Sequence, residues 1–182
     1  MIQNIIIAFI CLLLIYILIV RNNLVKLNNS VKEAFATMDV YLKKRWDLIP
    51  NIVETVSEYA EYEKDTLETL TNLRNTSYTE ISNNDKFNLN EELSQNISKI
   101  LMISENYPNL KANENFLDLS NKLTQVENDI ANARKYYNAV IRNYNNKVQM
   151  FPSNLIALLF GYKEKQMFQA TTEERENINM HL

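Results

Sequence analysis

The sequence predicts an all-α protein in which an N-terminal transmembrane helix leads into a long antiparallel helical bundle, and three observations predict it. The first is a shortage of turn residues, with Gly 1 and Pro 3 in 182 residues. Tight hairpins, dinucleotide turns and phosphate loops need glycine where the backbone takes positive φ or approaches a ligand closely. Gly161 alone cannot supply them. The second observation is an uncharged apolar run from Met1 to Val20. The third is the recurrence of apolar residues at alternating steps of three and four through much of the remainder, the period of helices that each bury one face.

These divide the chain into an anchor over 1–20, a bundle over 21–162 that includes a short apolar helix at 153–160, and a polar tail over 163–182. At about 1.5 Å per residue, the anchor matches the roughly 30 Å hydrocarbon core of a bilayer. A signal peptide has a basic stretch before its apolar core and small residues at the cleavage site. Here no Lys or Arg precedes the run, and Val20-Arg21-Asn22 is not a small-x-small site, so the expectation is an uncleaved anchor. Cys11 lies inside the run and lacks the preceding small residue of a lipoprotein site. Arg21, Lys26 and Lys32 follow the anchor closely, which by the positive-inside rule puts the N-terminus outside and the bundle in the cytoplasm of a bacterial inner membrane.

The first bundle helix carries the seam Leu24, Leu27, Val31, Ala34, Met38 and Tyr41, with Arg45 at the next seam position. Pro50 is expected to end or kink this helix, and Asp47 to cap whatever follows. A second helix would bury Ile52, Val53, Val56, Tyr59, Leu67, Leu70 and Leu73; one kinked rod and a hairpin are both compatible with this pattern. Ser82 to Asp85 reads as a turn, and Leu89, Leu93, Ile97 and Ile100 as a shorter helix stopped before Pro108. The clearest seam is the last, where Phe116, Leu119, Leu123, Val126, Ile130, Ala133, Tyr137, Val140 and Tyr144 predict coiled-coil-like packing. After Pro152, Ser153 is the expected N-cap and Gly161 the left-handed residue closing a short helix, apolar all round, that packs on the bundle or touches the membrane or a partner.

The net charge of -3 lacks the concentrated positive face that phosphate neutralisation requires, so nucleic-acid binding is excluded. Bundle di-metal sites need Glu-x-x-His repeats, and the one histidine, His181, is next to last. Serines and threonines lack a histidine base and an oxyanion loop, so no catalytic residue, cofactor or metal ligand is assigned. Acidic pairs such as Glu58 with Glu61 or Glu61 with Asp65 are ordinary on a helix surface.

The densest polar cluster is Asp39, Lys43, Lys44, Arg45 and Asp47, with Glu54 and Glu58 beyond Pro50. Most of it reads as i,i+4 pairing such as Asp39 with Lys43. Arg45 differs, because its seam position demands a buried carboxylate, for which Asp129, Glu127 and Glu54 are candidates. A straight helix places Lys43 about 35 Å beyond Val20, and charges in water are screened beyond roughly 8 Å. Unless the bundle lies flat on the membrane, the basic triplet is out of reach of lipid. Tyr136 lies off the last seam and is a candidate partner contact, with Arg134 and Asn138 beside it. Pro152, Asn154, Leu155, Leu159 and Phe160 make a second candidate surface.

The run A-F-A-T-M-D-V-Y-L-K-K-R-W-D-L-I-P-N-I-V-E-T-V within Leu24 to Leu70 resembles the signature of the bacterial LemA family. So do Y-P-N-L-K-A-N-E-N-F from Tyr107, E-N-D-I-A-N-A-R-K-Y-Y-N from Glu127 and F-P-S-N-L-I-A-L-L-F-G-Y from Phe151. Phe35 stands where the family often has tryptophan, and Leu158 where it often has glycine. The resemblance implies a membrane-anchored helical bundle without an established biochemical activity. It also suggests envelope partners, since family members are sometimes encoded near membrane metalloproteases and TPM-domain proteins.

The function expected is therefore a membrane-tethered helical scaffold that binds a membrane protease or other envelope protein. Its rival is a lipid-responsive, membrane-remodelling protein that inserts the apolar segment 155–160 at the interface.

Overall fold

A helix of 56 residues, α1 (Ile2–Ser57), opens the chain. The computed structural model describes residues 1–60, 62–74, 78 and 81–168, and for residues 74, 83, 84 and 87 the backbone alone. The remaining helices are α2 (Lys64–Arg74), α3 (Asn83–Ser104), α4 (Pro108–Lys111), α5 (Glu114–Gln149) and α6 (Ser153–Leu159), and no strand occurs among the described residues. The protein is all-α. Glu61, His181 and the tail from Thr171 to Leu182 lie outside the described residues.

Of the rod and the hairpin left open at Pro50, the protein has the rod: the residues before and after Pro50 belong to one helix, which ends at Ser57. An interior proline costs about 3 kcal/mol through its missing N–H and its clash with the preceding turn. Ile49, Ile52 and Val56 are fully buried around it, and each such side chain contributes about 1.5–3 kcal/mol on burial. Burial outweighs the proline, and the helix continues. Asp47 is consequently not a cap but an interior, exposed residue paired with Lys43 one turn earlier. Tyr59, expected to be buried, lies beyond the helix end and is exposed.

The seams are legible but each slips by one residue. On α1, Leu42 is buried in place of Tyr41, and on α5 Ile141 is buried where Val140 is only half-covered. A straight helix drifts by about 20° per heptad against a 3.5-residue repeat. A second consecutive step of four, as in Ala34-Met38-Leu42 and Ala133-Tyr137-Ile141, brings the buried stripe back into line. With that step, Leu42, Arg45, Ile49, Ile52 and Val56 continue one seam through the arginine.

The expected turn at Ser82 to Asp85 is the start of α3, which makes that helix longer than its apolar positions suggested. Ser82 Oγ accepts the Asp85 N–H at 3.3 Å, occupying one of the amides that a helix start leaves open. Asn113 Oδ1 does the same for the Phe116 N–H at the start of α5, at 3.0 Å.

The described residues divide into two units, one within Met1–Met38 and Ala133–Phe168 and the other within Asp39–Asn132. In the first, Phe35 meets Tyr137 edge-on at 5.9 Å, while Val20 and Leu24 share a cluster with Val148. Rising numbers on α1 thus face falling numbers on α5, and the two helices are antiparallel. In the second, Asp39 meets Lys86 and Arg45 meets Ser94, so α1 and α3 run parallel, while the contact of Arg45 with Glu127 sets α5 against both. α2 packs on α3. At the end of this unit, Tyr59 Oη accepts from Asn113 Nδ2 at 3.0 Å, joining the turn after α1 to the one before α5.

The start of α1 holds an 18-residue window of mean hydropathy 2.8, none of it buried in the protein. Among the described residues it is the one helix long and apolar enough to cross a membrane.

Candidate interaction surface

Arg45 is buried to 1% exposure because its seam position turns it inward. Its Nη1 donates to Glu127 Oε1 and to Ser94 Oγ, both at 2.6 Å, and its Nη2 donates to the Asn90 carbonyl at 2.9 Å and to Asn90 Oδ1. Of the three carboxylates that the sequence offered, Glu127 is the partner; Glu54 is exposed on α1. A buried guanidinium needs compensation of this kind, since its charge is costly away from water. The arrangement clamps α1, α3 and α5 together at one level.

Asp39 does not pair with Lys43. It takes Lys86 Nζ from α3 at 2.9 Å and the Tyr78 hydroxyl at 2.7 Å. The Lys86 ammonium also lies 4.4 Å over the Tyr78 ring, which tilts against Trp46 at 5.5 Å. Burial, followed by the hydrogen bond to Asp39, pushes the Tyr78 hydroxyl well above the ordinary tyrosine range. Thus the polar cluster read from sequence disperses: Asp39 and Arg45 face different helix contacts, Lys43 and Asp47 form an exposed pair, and Lys44 and Glu54 point to solvent. Pro50 lies half-covered inside α1.

Arg134, Asn138, Tyr144 and Asn145 share a task that the sequence did not reveal. Asn138 donates from Nδ2 to the Phe168 carbonyl and accepts the Phe168 N–H, each at 2.8 Å. Asn145 repeats the pairing with Lys165, at 2.8 and 2.9 Å, and Tyr144 Oη donates to the Lys163 carbonyl at 2.9 Å. Seven residues along a helix and three along an extended chain both span about 10 Å. The two asparagine side chains therefore act as bridge partners for an extended strap, residues 162–168, running antiparallel to α5. Arg134 lies 4.6 Å over the Phe168 ring and pins its end. Asn138 and Arg134 are thereby occupied within the chain, whereas Tyr136 is exposed. The missed signal was two asparagines one heptad apart.

The short apolar helix α6 presents two faces. Ile156 and Ala157 are buried against Val20 and Leu24, with Ile17, Val148 and Tyr162 around them. Leu155, Leu158, Leu159 and Phe160 are exposed, Leu158 to 80%. Leu158 thus projects outward, and its bulk where glycine was expected costs no packing. Ser153 is the first helical residue and not the N-cap: its hydroxyl is within hydrogen-bond reach of the Lys147 and Met150 carbonyls at the end of α5, at 2.7 and 2.8 Å. Pro152 takes the N-cap position. Gly161 has φ 72, and closes α6 by donating to the Leu158 carbonyl while Tyr162 donates to Ala157. This is a Schellman ending, with the customary apolar contact of Tyr162 on the Ala157 cluster. Asn154 Oδ1 is buried with no hydrogen-bond partner among the described residues.

Among the described residues, no three His, Cys, Asp or Glu side chains gather to hold a metal ion. A pocket of about 460 Å³ by α2 and α3 is lined by Thr69, Asn72, Leu73, Ile81, Asp85, Leu89 and Glu92. Asp85 accepts from the Ser82 hydroxyl at 2.6 Å. What the geometry offers is surface: the apolar face of α6, and Tyr136 exposed on α5.

The model of the LemA family matches residues 34–181. The chain belongs to the LemA family. It is similar to Protein LemA of Metamycoplasma hominis, 22% identical over 160 residues, which cover 87% of this chain and 73% of that relative. It is also similar to two proteins of Paramagnetospirillum magneticum, Magnetosome protein MamQ 2 and Magnetosome protein MamQ 1. Each is 27% identical over 73 residues, 40% of this chain and 27% of the relative. The family match begins at Ala34 and so takes in Arg45, Glu127, the strap and α6, while the apolar run before Val20 lies outside it.

Proposed function

We propose that this LemA-family chain is a non-enzymatic, membrane-tethered helical scaffold that binds another membrane or envelope protein, of which a membrane protease is one candidate. The N-terminal apolar stretch is the anchor in a bacterial inner membrane, with its N-terminus outside and the helical part in the cytoplasm. The observation that carries this reading is the continuity of α1, which passes from an unburied apolar window to a packed seam without a break. A continuous helix holds whatever it carries at a fixed place near the bilayer. Tethering confines the search for a partner to the membrane surface and raises its effective concentration without any new contact.

The polar contacts support a structural role for the interior: Arg45 and Asp39 are paired within the protein, and the exposed side chains Lys44 and Tyr136 remain for recognition. In-cell photocrosslinking from Lys44 and Tyr136, read by mass spectrometry, tests the proposal. The expected result is one recurrent membrane or envelope protein at either position. Recovery of lipid and self-contacts alone contradicts it.

A further inference from the structure

The geometry points to α6 as an interfacial helix, seated in the boundary between lipid headgroups and acyl chains of the same bilayer that the anchor crosses. The inference rests on the anchor reading above and adds a second, lateral contact with lipid. Its first support is place. α6 packs through Ile156 and Ala157 on Val20 and Leu24, and Arg21, the first charged residue after the apolar run, lies between those two. α6 is therefore held at the level where α1 leaves the hydrocarbon.

Its second support is the outward face. Leu155, Leu158 and Leu159 are exposed to 59%, 80% and 72%, next to Phe151 at 77%, and no charged residue occurs from Met150 to Tyr162. A single exposed leucine is ordinary, but a patch this dense marks a surface that something apolar covers. It continues the unburied apolar surface of the anchor, where Leu18 and Ile19 are exposed as well.

Its third support is polarity. The Arg21 guanidinium lies 5.3 Å over the Phe160 ring, the position of a cation that buries its stem and keeps its head at the headgroups. The backbone is prepared for a dry setting, where unpaired polar groups are costly. Phe160, Gly161 and Tyr162 all donate to carbonyls of α6, and the Ser153 hydroxyl reaches two carbonyls at the end of α5. Seven residues make a helix about 10 Å long, too short to cross a bilayer and suited to lying in its interface.

Site-directed spin labelling of the full chain in liposomes tests this. The native Cys11 reports the anchor; Leu158→Cys and Thr37→Cys, each with Cys11→Ser, report α6 and an exposed aqueous site on α1. Accessibility to oxygen and to a water-soluble nickel chelate gives depth. The expected result is that the label at 158 favours oxygen, less strongly than at Cys11, while the label at 37 favours nickel. Circular dichroism checks the fold, and Leu159→Cys repeats the measurement if the first variant loses helicity. A label at 158 as nickel-accessible as at 37 overturns the inference and leaves the anchor standing. Shielding at 158 from both reagents also overturns it, since protein and not lipid then covers α6. Nickel access at Cys11 removes the anchor reading and this inference with it.

Discussion

Arg45 and Glu127, 82 positions apart, meet at 2.6 Å between α1 and α5, the arginine buried and the glutamate one-third exposed. Two further groups on α3, Ser94 and Asn90, complete the arginine's surroundings. The pair fixes which face of each helix looks inward, because a one-residue rotation of α1, about 100°, would turn Arg45 off the seam and away from Glu127, Ser94 and Asn90.

Removing the guanidinium leaves Glu127 and the Asn90 groups short of a donor. Truncating one member of a buried pair costs about 3–5 kcal/mol, and the exposure of Glu127 lowers the expectation to about 2 kcal/mol. Arg45→Met is therefore expected to lower the unfolding midpoint, measured by circular dichroism of the full chain in detergent. Arg45→Met with Glu127→Gln should recover part of the loss. An unchanged midpoint for the single variant contradicts this role.

Pro50→Ala is expected to stabilise the protein by about 1 kcal/mol or more, since alanine restores the missing N–H and removes the clash within a continuous helix. Thermal unfolding followed by ellipticity checks the sign. A lowered midpoint would mean that the seam beyond Pro50 packs only with the proline's geometry.

Asn145→Ala should free one end of the strap and Asn138→Ala the other. Each loses two hydrogen bonds, at about 1 kcal/mol apiece. Amide hydrogen exchange separates the two: the Lys165 N–H should lose protection in the first variant and the Phe168 N–H in the second. Equal protection in both variants and the parent would show that the strap is held by something else.

Alkaline pH should unfold the protein. Tyr78, Tyr137 and Tyr144 all titrate above the ordinary value of 10.0, burial being the first cause in each. Their contribution is complete below pH 10 and is lost as pH climbs from there through the raised folded values. Lys165 acts in the opposite sense: burial, then Lys32, lowers its amine, so its contribution is complete above 10.5 and is lost as pH falls through the lowered value. Three tyrosines outweigh one lysine, so urea midpoints should fall above pH 10. Tyr78→Phe should flatten that slope, and an unchanged slope counts against the Asp39 hydrogen bond.

How much of this was legible in the sequence depended on whether a residue's role is local. Leu123, Val126 and Ile130 announce a buried face because their spacing alone fixes it. The slip from Val140 to Ile141 was hidden because both are apolar and periodicity does not choose between neighbours. Pro50 left rod and hairpin open because its cost is local, while the burial of Ile49 and Ile52 that decides for the rod is tertiary. Arg45 declared itself as a cation at a seam position, yet Glu127 could be chosen over Glu54 only once α5 was placed against α1. The strap was invisible, since residues 162–168 have no period and their partners are side-chain amides 20 and 30 positions away.

The most direct test of the account is the intact mass of the protein recovered from carbonate-washed membranes of cells that make it. A membrane-bound species at the full 21.4 kDa is expected. A soluble species lacking about the first 20 residues, the length a bilayer-crossing helix requires, would contradict it.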